Sequence, residues 1–261
     1  MPRFSEFLSR SGHDDSSRDH MDRSRRALIG AGGVLMLGAA LWPLRARAAT
    51  DGKLKIGVIG SGNIGGTIGG LWVKAGHPVL FSSRHPDELK GLVESLGPLA
   101  KAGTVAEAIA FGDVVFIAVP YGALPQVGQE YGTALKGKIV IDACNATAAR
   151  DGAITDEVNK NGIGVTSQKY LPGARIVRAF NSLNFKIFAK EANRPDPKLA
   201  IPIAGDDAEA LKVAEGLVRD AGFDPVVVGK LADASRFQMG APGFGQQVTA
   251  EELRQKLSLK P

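Results

Sequence analysis

The sequence predicts an α/β protein built on a doubly wound, mostly parallel sheet with helices on both faces. Three observations predict it. Lys53 to Gly66, KLKIGVIGSGNIGG, reads as a strand, a glycine-rich turn and the start of a helix in immediate succession. Asp113–Val119 and Lys138–Asp142 are near-continuous apolar runs, as strands covered on both faces require. Strand-like and helix-like segments then alternate to Val228, a pattern that places crossover helices over a parallel sheet.

In the first stretch, Leu54, Ile56, Val58 and Ile59 are the apolar members of a short buried strand. Gly60, Ser61, Gly62, Asn63, Ile64 and Gly65 form the turn, and Ile64, Ile68, Leu71 and Trp72 then recur at helical spacing. This is G-x-G-x-x-G between a strand and a helix, the context in which it binds dinucleotides. Gly60 permits the tight turn, Gly62 lets the backbone approach a pyrophosphate, and Gly65 lets the helix pack on the strand. The helix N-terminus offers unpaired N–H groups and partial positive charge to the phosphates. The expected architecture is therefore a Rossmann domain.

The first 48 residues read as a separate segment. Met1 to Arg23 is polar. Arg25-Arg26 then precedes an uncharged apolar run, Ala27 to Leu44, and Arg45-Ala46-Arg47-Ala48-Ala49 supplies an A-x-A pattern. This order is that of a signal peptide, and the paired arginines indicate the bacterial twin-arginine route. The expectation is cleavage after Ala48 and a periplasmic or secreted product. The alternative is a membrane anchor, since the run is close to the length of a span. The expected organisation is residues 1–48 as signal and 49–261 as an NAD(P)-binding domain with a small C-terminal α/β extension.

Eight Lys and Arg and five Asp and Glu fall in the signal, so 24 basic residues face 22 acidic ones in the remainder. The high pI therefore gives no argument for nucleic acid as a partner. The single cysteine, Cys144, excludes an intramolecular disulfide and a cysteine-based zinc site. No metal-ligand spacing is present, and no metal is expected.

Along the chain, Gly76 reads as the C′ residue of the first helix. Pro78–Phe81 is the second strand and ends in Ser82-Ser83-Arg84-His85. An acidic residue about 20 residues past the glycine motif would favour NAD. Two hydroxyls and an arginine suit a 2′-phosphate and so favour NADP. Asp87–Leu96 and Leu124–Leu135 read as helices, and Thr104 with Glu107 as a capping box. Tyr121, in the loop after Val119-Pro120, is either a ring that stacks on a cofactor or a surface aromatic. Asn145 follows the strand Lys138–Asp142 at the carboxyl edge of the sheet. Arg175–Phe180 is a further strand, followed by Asn181-Ser182-Leu183-Asn184. Leu199–Ala204 and Pro225–Val228 are the last strands, with a helix from Ala208 to Ala221 between them.

GVIGSGNIGGTIGGLWVKAGHPVLFSSR, DVVFIAVPYGAL, GKIVIDACN, LPGARIVRAFNSLN and PIAGDDAEALKVAEGLVRDAGFDPVVVG occur in this order. Together they resemble the NADP-dependent oxidoreductases of the deazaflavin-coenzyme (F-420) reductase type. They are equally similar to the cytosolic oxidoreductase domain of the six-transmembrane metalloreductases. The resemblance implies that Gly60 to Ile64 carry the pyrophosphate, and Ser61, Ser83 and Arg84 the 2′-phosphate. It implies that Val119 and Pro120 flank the cofactor and that Phe180 and Asn181 lie by the nicotinamide.

No Ser/His/Asp arrangement is present. His77 reads as structural, His85 sits at the adenosine end, and Lys186 reads as a surface lysine. No acid–base pair is assigned and no catalytic residue is named. That suits hydride transfer between NADPH and a flavin-like or deazaflavin acceptor, where stacking and orientation dominate. The expected partners are a small hydride acceptor, the export machinery and a second copy of the chain. A non-catalytic NADP-binding module and a short hydroxyacid-dehydrogenase-like enzyme are the alternatives.

Overall fold

The computed structural model describes residues 52–259. The twin-arginine segment and its cleavage site lie outside the described residues. In chain order the strands are β1 (Ile56–Ile59), β2 (Val79–Ser82), β3 (Ala100–Gly103), β4 (Val114–Ile117), β5 (Ile139–Asp142), β6 (Arg175–Arg178), β7 (Ala200–Gly205) and β8 (Asp224–Gly229). The α-helices are α1 (Asn63–Lys74), α2 (Lys90–Leu96), α3 (Val105–Phe111), α4 (Leu124–Leu135), α5 (Ala148–Asp151), α6 (Ala153–Asn161), α7 (Ile163–Tyr170), α8 (Phe185–Glu191), α9 (Ala208–Asp220) and α10 (Ala250–Lys256).

The strands form one sheet in the order β3-β2-β1-β4-β5-β6-β7-β8. The first six have the Rossmann order, and the order reverses between β1 and β4. All neighbours are parallel except β6 and β7. The doubly wound, mostly parallel sheet is as the sequence predicts. The C-terminal extension, β7-α9-β8, lengthens this same sheet. Pro202 is tolerated inside β7 because β6 pairs β7 only at Val177↔Gly205 and Arg178↔Ala204. The missing N–H therefore lies outside that ladder.

Alternation along the strands divides the core into two layers. Val58, Phe81 and Phe116 face one layer with Trp72, Phe180, Phe188 and Phe223. Ile59, Val115, Ile117 and Val140 face the other with Tyr121, Leu124 and Phe237. In the first layer Trp72 meets Phe116 and Phe180 edge to face at 5.0 and 5.7 Å. Its indole N–H donates to the Leu217 carbonyl at 2.8 Å, which ties α1 to α9. His77 is structural, as read. Its Nδ1 lies 3.0 Å from the Leu54 carbonyl and its Nε2 2.7 Å from Asp220 Oδ2. Burial works against ionising Asp220, but the His77 hydrogen bond and the Lys53 charge hold its carboxyl below the ordinary range.

Three local expectations change. The segment from Pro86 begins as a 3-10 turn, Pro86–Leu89, and becomes α-helical only at Lys90. The strand expected over Arg175–Phe180 ends at Arg178, because Phe180 takes φ 59° and cannot continue a ladder. Strand β3 and the helices between Ala148 and Tyr170 have no counterpart in the sequence reading. The Thr104–Glu107 capping box forms as expected.

Candidate functional site

The switch between β1 and β4 opens into a cleft of about 650 Å³ at the carboxyl edge of the sheet. Its floor is the glycine turn. Gly60 has φ 91°, and a Cβ there would lie 2.6 Å from the Ala118 carbonyl oxygen. A Cβ at Gly65 would lie 1.9 Å from the Gly60 carbonyl oxygen, so the start of α1 sits directly on the turn. Gly62 differs: a Cβ there meets nothing within 4 Å. Gly62 is the N-cap of α1 and provides no side-chain cap. The first-turn N–H groups at Asn63, Ile64 and Gly65 are therefore left for a ligand, the arrangement that receives phosphate oxygens.

One wall of the cleft is the end of β2. Ser61 Oγ donates to the Ser82 carbonyl at 3.0 Å, and Ser82 Oγ donates to the Val58 carbonyl at 2.7 Å. These bonds fix the turn against β2. Ser83 and Arg84 follow and line the cleft. Ser83 Oγ accepts from the His85 N–H at 3.1 Å. Arg84 is exposed and forms no ion pair with a described residue. Val119 and Pro120 form the opposite wall at the end of β4, continued by Ala123, Gln126, Val127, Glu130 and Tyr131 of the loop and α4.

Asn145, Phe180 and Asn181 gather at the ends of β5 and β6, outside the lining of that cleft. Asn145 Nδ2 donates to the Asn181 carbonyl at 2.6 Å, and Asn181 Nδ2 donates to the Phe237 carbonyl at 3.2 Å. The Phe180 ring turns away from this edge into the core, among Trp72, Phe116, Phe188 and Phe223. Phe180 therefore contributes only its backbone here. Tyr121 is neither a stacking ring nor a surface aromatic. It is fully buried, and its hydroxyl donates to the Ile163 carbonyl at 3.1 Å and lies 3.0 Å from Ser167 Oγ. Burial and the Asp142 charge push its phenol upward.

Beneath the edge lies a polar network that the sequence reading did not pick out. Arg178 and Asp142 are opposite one another in the β5–β6 register and 2.6 Å apart, with both side chains fully buried. Ser167 Oγ donates to Asp142 Oδ2 at 2.7 Å, the Cys144 N–H donates to Asp142 Oδ1 at 2.9 Å, and Arg178 donates to the Cys144 carbonyl at 2.6 Å. Burial pushes the Cys144 thiol well up, the setting of a structural cysteine. Asp151 links the loops after β4 and β5 by accepting from the N–H groups of Gly122 and Thr147 at 3.0 and 2.8 Å. Burial would raise its carboxyl, but the Arg150 hydrogen bonds and these two N–H groups hold it down at about 2. Arg150 also donates to the Asn145 carbonyl. Among the described residues no group of His, Cys, Asp and Glu is placed to hold a metal, and no helix is long and apolar enough to cross a membrane.

Residues 55–146 match the family model described as NADP oxidoreductase, coenzyme F420-dependent. The match covers 92 of the 261 residues and makes this segment similar to that family. The matched segment spans the glycine turn, the β2 and β4 walls and Asn145. NADP is the cofactor that the family's description names, as the sequence reading expected. Metalloreductase STEAP3 of Rattus norvegicus is 29% identical over 187 residues, covering 69% of this chain and 35% of that protein. The chain spans about a third of the length of the curated relatives it matches. A solved structure of a hypothetical protein from Sinorhizobium meliloti superposes with a TM-score of 0.66 at 27% identity, covering 76% of this chain and 95% of that one. A protein from Arthrobacter, provisionally named an F420-dependent NADP reductase, superposes with a TM-score of 0.59 at 22% identity and shares the fold. It covers 70% of this chain and 87% of that one.

The sequence reading passed over Gln126, Glu130 and Tyr131, which line the cleft. It also passed over Asp142 and Arg178, although each is a charge inside an apolar strand, a signal visible in IVID and RIVR. The glycines give a prediction with two arms. Gly62→Val should fold like the wild type, because the side chain enters open space, and should lose NADPH affinity at least about tenfold by calorimetry. Gly65→Ala should lower stability by roughly 1–3 kcal/mol in a thermal melt, because its Cβ strikes backbone. Unchanged affinity in the first variant would remove the turn from the binding site.

Proposed function

We propose that the chain is an NADP(H)-dependent oxidoreductase that exchanges hydride with a flat, flavin-like or deazaflavin acceptor. The observation that carries this reading is the cleft: a glycine turn with open space at Gly62, an uncapped α1 N-terminus and an unpaired Arg84 on its wall. These residues fit a pyrophosphate and a 2′-phosphate. When bound, the nicotinamide nucleotide supplies the hydride chemistry.

The chain's own residues bind and orient. The α1 N-terminus takes the pyrophosphate charge, and Arg84 with Ser83 takes the 2′-phosphate. Asn145 and Asn181 lie at the ends of β5 and β6, where Asn145 donates to the Asn181 carbonyl and Asn181 to the Phe237 carbonyl, and in this reading they border the nicotinamide. Amides orient a ring but do not serve as general bases. The neighbouring titratable groups are engaged: Tyr121 with Ser167 and Ile163, Asp142 with Arg178, and Asp151 with Arg150. Lys186 is exposed on α8. This supports an acceptor that needs no proton taken from a hydroxyl, and so favours a flavin-like ring over a hydroxy acid.

The test is NADPH oxidation by purified protein with flavin, deazaflavin and ferric acceptors. Turnover on a flavin or deazaflavin is expected. NADPH binding without turnover on any acceptor would make the chain a cofactor-binding module. Arg84→Ala should weaken NADPH by about tenfold or more, since a hydrogen bond to a charged group contributes roughly 1.5–3 kcal/mol, and should leave NADH nearly unchanged. Paired titrations check this, and equal losses for both nucleotides would mean that Arg84 does not hold the 2′-phosphate.

We also propose that the chain is exported by the twin-arginine route, on the order Arg25-Arg26, apolar run, A-x-A. That route carries folded proteins, which suits a domain that acquires its nucleotide in the cytoplasm. Replacing Arg25 and Arg26 by lysine should leave precursor in the cytoplasm on fractionation. Export unaffected by the double change would rule the route out.

A further inference from the structure

The wall that carries Arg84 also carries a carboxylate. Glu88 lines the same cleft as Ser83 and Arg84. It belongs to the 3-10 turn Pro86–Leu89, and its N–H donates to the His85 carbonyl at 3.1 Å. Leu89, the next residue, is buried in the core, and the His85 N–H is bonded to Ser83 Oγ. The turn is thus anchored at both ends, and Glu88 is presented from a fixed backbone. Neither Glu88 nor Arg84 forms an ion pair with the other or with another described residue. Both charges therefore face the cleft without being neutralised. On the opposite wall Glu130 accepts from Gln126 at 2.7 Å.

An unpaired arginine and an unpaired carboxylate serve different nucleotides. A carboxylate at the ribose end of a Rossmann cleft accepts from a 2′-hydroxyl, and an arginine there accommodates a 2′-phosphate. Here both devices share one wall. A 2′-phosphate gains from Arg84 and is repelled by Glu88. A free ribose gains a hydrogen bond from Glu88 and nothing from Arg84.

We infer that Glu88 is a specificity-determining residue that limits the preference for NADPH and lets the same cleft take NADH. This rests on the proposed NADP(H) site. Glu88→Gln removes the negative charge and keeps the size of the side chain. It should raise the ratio of NADPH to NADH affinity by roughly three- to tenfold, with NADPH binding more tightly and NADH more weakly, as expected for one exposed charge contact. Asp87→Asn is the control, because Asp87 lies on the same turn but outside the cleft lining.

The experiment is calorimetric titration of the wild type, Glu88→Gln and Asp87→Asn with NADPH and NADH at one ionic strength. A raised ratio in Glu88→Gln alone supports the inference. An unchanged ratio in Glu88→Gln overturns it. An equal rise in Asp87→Asn also overturns it, because the effect would then be one of general surface charge. Failure of the wild type to bind either nucleotide would instead sink the proposed site, an outcome distinct from the other three.

Discussion

The buried pair of Asp142 and Arg178 is the constraint on which the reacting edge depends. Two charges 2.6 Å apart with no exposed surface have lost their hydration, and only close geometry and further hydrogen bonds offset that loss. Removing one partner of such a pair costs roughly 3–5 kcal/mol. The structure surrounds both with donors and acceptors from elements distant in sequence. Ser167 of α7 and the Cys144 N–H serve Asp142, and the Cys144 carbonyl serves Arg178. Tyr121 reaches Ser167 from the loop after β4. The ends of β4, β5 and β6 and helix α7 are thereby locked together. Asn145 follows this lock by one residue and Asn181 by three. Their amides inherit a fixed backbone, and the Phe180 ring, packed into the core from a left-handed backbone, anchors the residue before Asn181.

Much of this was legible in the sequence, and the reasons are physical. Strands β1, β4 and β5 are covered on both faces, so their runs are apolar almost throughout, with Asp142 at the end of β5 the charged exception. The glycine turn is legible because Gly60 and Gly65 answer to contacts within a few residues or one strand away. Capping at Thr104 is local chemistry and was read directly. Strand β3, AKAG, was missed because it is the sheet's edge: Lys101 and Ala102 are exposed and the alternation is lost. Helices α5 to α7 were missed because they are short and bury small or polar residues, among them Gly164, Thr166 and Ser167.

Tyr121 shows where sequence reasoning ends. Flanked by Pro120 and Gly122, it has the local character of an exposed loop. It is buried because its hydroxyl finds Ile163 and Ser167, more than forty positions away. A polar group can enter a core only with a partner, and the partner here is set by the fold. The same holds for Asp142 and Arg178. Each looks anomalous in its own strand, and the strand register makes them a pair. Long-range polar satisfaction has no local signature, whereas apolar burial and glycine geometry do.

The site therefore has two ends that differ in kind. The adenosine end is built of exposed charges, Arg84 and Glu88, on a turn at the rim of the sheet. Exposed charges contribute modestly, respond to salt and can be exchanged without cost to the core. The edge of β5 and β6 rests on a buried ion pair and on amides held by backbone carbonyls, and a substitution there disturbs three strands at once. The turn at Gly60 separates the two, pressed against Ala118 so closely that no side chain fits. Side-chain charge at the β2 end can thus vary while the packed edge of β5 and β6 stays fixed. The single cysteine, Cys144, is buried beneath this edge, and burial pushes its thiol up.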